Sequence, residues 1–206
     1  AAKGTEDTAF YNYNALISLN EVGDSPVHAA VPVEKFHALM ERRQQIAALS
    51  LNASSTHDTK RGEDNRLRIN LISLFAGEWI SLVEQWKWLN HPFIRVHNGK
   101  RAPSANDEYL IYQALIGALP EDNRISLNFR KRFSAYLLKA LREEKQETTW
   151  ENPDILYEKL CQTFLNHILS PAHASLASFL PFAKKIISRA VIFSLSQTFL
   201  NLTAPV

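Results

Sequence analysis

The sequence predicts a mainly α-helical chain. Three observations carry that expectation. Apolar residues recur at helical spacing over most of the length after residue 63, Pro, Asn and Gly stand where helices would start and stop, and after residue 55 no useful stretch alternates apolar and polar residues. With 206 residues and 46% hydrophobic content, the chain can bury a sizeable core, which excludes a disordered tail or a small disulfide scaffold.

Taken in order, residues 1–32 mix Gly, Asn, Asp and Pro with Phe10, Tyr11 and Tyr13 and show no sustained period, so they read as ordered loop and short turns. Pro32 then stands in the first turn of a helix carrying Phe36, Leu39, Met40 and Ile46 and ending before Leu49. The short apolar run that follows suits a buried strand near Ala47 to Ala53. From Glu63 one long helix is expected: Glu63 and Asp64 complement the positive end of its dipole, and Leu67, Leu71, Leu74, Trp79, Leu82 and Trp86 form its apolar stripe.

His91-Pro92 breaks that helix, and the polar stretch from Arg95 to Pro103 reads as a loop. Ser104 or Asn106 can cap the next helix, which Gly117 and Pro120 stop. A further helix is expected from about Ile125 to Lys145. Asn152-Pro153, a cap followed by a first-turn proline, opens another that Pro171 ends, and a last helix uses Phe182, Ile186, Ile187, Ala190, Leu195 and Phe199.

Lys and Arg total 23 against 21 for Asp and Glu, so a formal charge of +2 gives no global pull toward nucleic acid or anionic lipid. The longest uncharged stretch, Leu160 to Ala183, carries Asn166, His167, Pro171 and Pro181, which argues against a bilayer span. The single Cys161 excludes an intrachain disulfide and a cysteine-rich zinc site, and fits a reducing compartment, with cytoplasm as the default. The N-terminus has no apolar run after a basic start, so it is no secretory signal. Its abrupt beginning leads us to expect a piece of something longer.

The densest set of reactive side chains is Ser55 to Asp64, STHDTKRGED, between the candidate strand and the long helix. Flanked by His57, Lys60 and Arg61, the Asp58 carboxylate is expected to stay ionised and to suit stabilising positive charge rather than donating a proton. The same residues also suit a plain helix N-terminal cap with solvated ion pairs.

STHDTKRGEDNRLR resembles the motif around the third catalytic aspartate of the maltooligosyl trehalose synthases, within the α-amylase family of glycoside hydrolases. EDTAFYNYN (6–14), SLNEVGDSP (18–26), NDEYLIYQALIGALP (106–120) and LTAP (202–205) resemble the same family in the same order. The resemblance implies that the chain is the helical insertion domain (63–201) of a (β/α)8-barrel glycosidase. Residues 1–62 would then be part of the catalytic barrel, with a short barrel strand near 47–53, and 202–206 the start of the last strand. It further implies Asp58 as the carboxylate that steadies an oxocarbenium-like transition state, His57 and Lys60 as sugar-binding residues, and Phe10 and Tyr13 as sugar-stacking aromatics, although these two suit the core equally. The implied reaction converts the reducing-end α-1,4 bond of a maltooligosaccharide into an α,α-1,1 bond, with no cofactor or metal. A retaining route needs a nucleophile and an acid/base carboxyl about 5 to 5.5 Å apart. Glu6, Asp7, Glu21 and Asp24 match the family's intervening segments rather than either group, so both are expected outside this chain.

Two departures stand out: Asp24 follows Gly23 where the family pattern has a second glycine, and the chain ends at Val206 where the pattern runs on. No synthase activity is therefore expected of this chain alone, and the partners implied are a maltooligosaccharide and the remainder of the barrel, without nucleic acid or membrane. A helical interaction module without catalytic role, or another α-amylase-family hydrolase or transferase, are the alternatives. The segment from Arg124 to Lys145 carries seven basic residues against two acids and is expected to present a solvated basic face, and Trp79 and Trp86 are expected in the core. The histidines show no metal-binding spacing, and no nucleotide-binding glycine motif occurs.

Overall fold

The computed structural model describes residues 2–22, 31–49 and 53–204. In chain order the helices are α1 (Ala2–Asn12), α2 (Val33–Ala47), α3 (Glu63–Asn70), α4 (Ala76–Asn90), α5 (Ala105–Ala118), α6 (Leu127–Glu144), α7 (Ile155–Ile168) and α8 (Ala174–Thr203), with a two-stranded hairpin of β1 (Arg95–His97) and β2 (Lys100–Ala102) between α4 and α5. The mainly helical expectation holds.

Helix α5 is the hub. It is buried on nearly every side, as Leu110, Ile111, Ile116 and the polar Gln113 show, and an all-round buried helix needs neighbours on all faces. Helices α3 and α6 pack on it, α3 also meets α8, and α6 carries α1 and α7. Its start is fixed by a capping box: Ser104 Oγ accepts the Asp107 N–H at 3.0 Å and Asp107 Oδ2 accepts the Ser104 N–H at 3.3 Å. Its end is held by Arg68, whose Nη1 donates to the Leu119 carbonyl at 2.8 Å. Trp79 and Trp86 lie edge to face at 5.5 Å and both are buried, with their ring N–H groups donating to Tyr109 and Ser178. Cys161 is buried in α7.

Several expectations are corrected. Residues 2–12, expected as loop, form α1, tied to α6 by Asn12 Nδ2 donating to the Glu144 carbonyl at 2.8 Å. The single long helix from Glu63 is two helices joined by a 3-10 segment, Leu71–Phe75, which shifts the register of the apolar stripe. The loop at 95–103 is a hairpin whose turn residues Asn98 and Gly99 both have positive φ, 51° and 76°. Asp154, not Asn152, caps α7, and α8 starts at Ala174, ahead of Pro181, which it accommodates internally.

Of the strand expected at 47–53, Ala47 closes α2, Ala48 and Leu49 form a turn, and residues 50–52 lie outside the described residues. Leu202 and Thr203 are the last turn of α8 rather than the opening of a strand. Asp24 also lies outside the described residues. Among the described residues no helix is long and apolar enough to cross a membrane.

Candidate functional site

The loop from residue 53 to Gly62 enters α3 and carries His57, Asp58 and Lys60. Its tip is shaped locally. Thr56 Oγ1 accepts the Asp58 N–H at 3.2 Å, while Thr59 Oγ1 accepts the Thr56 N–H at 3.2 Å and donates to the Thr56 carbonyl at 2.8 Å. These bonds fold Thr56 to Thr59 into a tight turn that presents His57 to solvent and leaves Asp58 half-buried.

Distant residues hold the base of the loop. Glu21 Oε1 accepts the Lys60 N–H at 2.9 Å and Glu21 Oε2 accepts from Arg66 at 3.3 Å, while Arg66 Nη2 donates to the Ser54 carbonyl at 2.7 Å. Glu21 thus clasps both the end of the loop and the helix that follows it. The Lys60 ammonium pairs with Asp7 and lies 5.8 Å from the centre of the Phe10 ring. Arg61 turns the other way, into the protein, where Nη1 donates to the Ile17 carbonyl at 2.9 Å and Nη2 to the Tyr136 hydroxyl at 3.4 Å. The segment that offers this carbonyl is itself fixed by buried Gln113: Oε1 accepts the Ile17 N–H at 3.0 Å and Nε2 donates to the Asn14 carbonyl at 2.7 Å.

The structure therefore brings Lys60 and Phe10 together. Phe10 is only 5% exposed, in line with the core placement that the sequence left open beside sugar stacking, whereas Tyr13 is 47% exposed. Of the two cations that follow Asp58 in the sequence, Lys60 pairs with Asp7 and Arg61 bonds to Ile17 and Tyr136. Asp7 and Glu21 were not among the expected site residues. Each is engaged in holding the loop, and no local spacing could have announced it, since they lie 53 and 39 positions from Lys60.

Beside the loop, α3, α5 and α6 enclose a cleft of ≈ 580 Å³ bordered by Lys60, Arg61, Asn65, Arg68, Phe129 and Arg132. Neither His57 nor Asp58 lines it. Among the described residues no group of three His, Cys, Asp or Glu is arranged to hold a metal ion. The expected solvated face of α6 is only partly so: Arg130 donates to the Leu169 carbonyl and Arg142 clamps Glu158 through Nε and Nη2, both at 2.8 Å.

No family model matches the chain. A Mycobacterium tuberculosis protein assigned as a maltooligosyl trehalose synthase is 33% identical over 205 residues, 100% of this chain and 25% of its own length. The Arthrobacter ramosus maltooligosyltrehalose synthase structure superposes with a TM-score of 0.80 at 32% identity, over 99% of this chain and 25% of that one. The structure of a Sulfolobus tokodaii protein assigned to the same activity gives 0.87 at 35% identity, over 98% of this chain and 27% of that one. The chain spans about a quarter of the length of these relatives. Agreement of sequence and fold from end to end makes this chain the counterpart of one segment of the maltooligosyl trehalose synthases.

Proposed function

We propose that this chain supplies one catalytic carboxylate and the helical wall beside it to a maltooligosyl trehalose synthase whose other catalytic groups lie elsewhere in the polypeptide. The substrate is a maltooligosaccharide, and the reaction breaks its reducing-end α-1,4 bond and re-forms it as an α,α-1,1 bond. In a retaining course a carboxylate nucleophile outside this chain takes the glycosyl carbon as the O4 of the terminal glucose leaves with a proton from an acid group. The anomeric hydroxyl of that glucose, deprotonated by the same group, then displaces the nucleophile.

Asp58 stabilises the positive charge that develops on the glycosyl carbon, His57 hydrogen-bonds sugar hydroxyls and Lys60 contacts the same or the neighbouring ring. The observation that carries the reading is the two-sided anchorage of the loop. Its base is clasped by Glu21 and Arg61 while His57 at its tip faces solvent, an arrangement that preorganises a charge-stabilising group instead of leaving it to a mobile cap. The engagement of Asp7 with Lys60, and of Glu21 with Lys60 and Arg66, supports a nucleophile and acid/base group from outside the chain. In the whole enzyme the exposed apolar side chains of α2 and of the end of α8, such as Val33, Ile46, Leu195 and Phe199, pack against the remainder of the barrel.

The test is maltopentaose conversion by the full-length protein with and without Asp58→Asn, assayed for a non-reducing trehalosyl product. Loss of several orders of magnitude in rate, with folding intact, is expected. A variant that keeps its rate would make Asp58 a helix cap, and a parent that releases only shorter reducing sugars would leave the family standing and refute the reaction.

A further inference from the structure

The cleft between α3, α5 and α6 is bordered by Lys60, Arg61, Arg68 and Arg132, of which Arg61 and Arg132 meet no carboxylate among the described residues. Arg61 is the decisive group: the residue is only 8% exposed, yet both of its hydrogen bonds go to neutral oxygens, the Ile17 carbonyl and the Tyr136 hydroxyl, and no carboxylate pairs with it among the described residues. Two less buried arginines are paired with carboxylates. Arg101 meets Glu108 at 2.5 Å, and Arg142 meets both oxygens of Glu158. A guanidinium carries five N–H donors and keeps its charge at any physiological pH, so burying one without an anion is unfavourable unless an anion arrives.

Two further guanidiniums border the same space. Arg68 is held by the Leu119 carbonyl and lies 3.4 Å from Glu121, whose side chain is 79% exposed at the rim. Arg132 is exposed and has no carboxylate partner among the described residues. The rest of the lining suits a hydroxylated ring: Phe129 and Tyr136 offer aromatic faces, and Asn65 and Asn128 offer amide groups. A volume of ≈ 580 Å³ falls within the range of small-ligand sites, about 300–1,000 Å³.

We propose that this cleft binds a phosphorylated sugar, its phosphate held by Arg61, Arg68 and Arg132 and its ring placed against Phe129 and Tyr136. A phosphate monoester matches the planar forks of arginine and brings the two negative charges that this excess of cations calls for. The cleft shares Lys60 with the site proposed for the maltooligosaccharide, but neither His57 nor Asp58 lines it.

The experiment is isothermal titration calorimetry of the full-length protein at low ionic strength with glucose 6-phosphate, inorganic phosphate and glucose. Saturable binding of glucose 6-phosphate is expected, at least tenfold tighter than inorganic phosphate, with no binding of glucose at this cleft. Arg132→Ala, a surface change that leaves the fold intact, weakens it at least fivefold, and Arg61→Met removes it, whereas Asp58→Asn leaves it unchanged. Absence of saturable binding, or binding that Arg132→Ala does not weaken, overturns the site. Equal affinity for inorganic phosphate overturns the assignment to a phosphorylated sugar, and weakening by Asp58→Asn overturns the cleft by placing the ligand at the site proposed for the maltooligosaccharide.

Discussion

Gly117 of α5 and Asn65 of α3 meet with no room for a side chain between them: a Cβ built on Gly117 would lie 2.4 Å from Asn65 Oδ1 and 2.8 Å from Ile69 Cδ1. Helix α3 is the continuation of the loop that carries Asp58, so this crossing sets how far that loop stands from the hub of the fold. Gly117→Ala gains about 1 kcal/mol of helix propensity, but fully buried Ile69 has nowhere to move, and overpacking costs about 1–3 kcal/mol. A net loss of roughly 1 kcal/mol is expected in urea denaturation, and Gly117→Val should lose more. Adding Asn65→Ala to Gly117→Ala should restore part of it, because contacting residues couple. A more stable Gly117→Ala variant would show that the helices are free to part.

The buried carboxyl of Glu144 sets a dependence on alkaline pH. Burial, with the Asp107 carboxylate nearby, pushes its pKa up to about 10 from the usual carboxylate range. The folded protein therefore keeps a proton that the unfolded chain releases near pH 4.5, so stability falls as pH rises between these values. The slope approaches about 1.4 kcal/mol per pH unit where this group alone titrates. Glu144→Gln, which keeps the shape and carries no charge, should flatten the curve from pH 6 to 9, as followed by denaturation midpoints. An unchanged slope in this variant would assign the dependence to other groups.

Glu158 acts with the opposite sign. The Arg142 fork and the Thr148 hydroxyl, which donates at 2.7 Å, hold its carboxyl below the usual range against the opposing effect of burial. This contribution to stability is complete above about pH 4.5, where the unfolded chain is also ionised, and is lost as pH falls through the depressed folded value. Arg142→Lys keeps the charge but not the two-pronged geometry. Acid denaturation of this variant should begin at a higher pH than in the parent, and coincident acid transitions would show that only the charge matters.

How much of this architecture was legible depended on how local its causes are. The Ser104 cap, the Gly117 and Pro120 stop and the apolar stripes of α6 and α7 are written within a few residues of where they act, and they placed those helices within a few positions. The hairpin signal was also present, as Asn98-Gly99, but its strands are only three residues long and too short to alternate visibly. Helix α1 escaped because Phe10 and Tyr11 are its buried anchors and the turns before them are polar. The break at Leu71–Phe75 escaped because an apolar stripe runs through it unchanged in composition. At the candidate site the loop itself was legible from its motif. Its supports were not, since Asp7, Glu21 and Ile17 reach it only through tertiary folding.

Phe10 and Tyr13 stand in the same segment but differ in burial, 5% against 47% exposed, so their substitution should have different outcomes. Phe10 is buried under the Lys60 ammonium, and the Asn20 amide donates to its carbonyl at 2.8 Å. Phe10→Ala should cost about 3–5 kcal/mol of stability through the cavity it leaves, and should loosen Lys60 at the same time. Tyr13 exposes nearly half of its surface at the end of the same turn, and its carbonyl also accepts from Asn20, so its backbone is fixed while its ring is open. Tyr13→Ala should leave the denaturation midpoint within about 0.5 kcal/mol of the parent. In the full-length protein it should raise KM for maltopentaose severalfold with little change in kcat, as expected when a contact made equally in ground and transition states is removed. An unaltered KM would leave Tyr13 outside the substrate path and restrict sugar contact in this chain to the His57 to Lys60 loop.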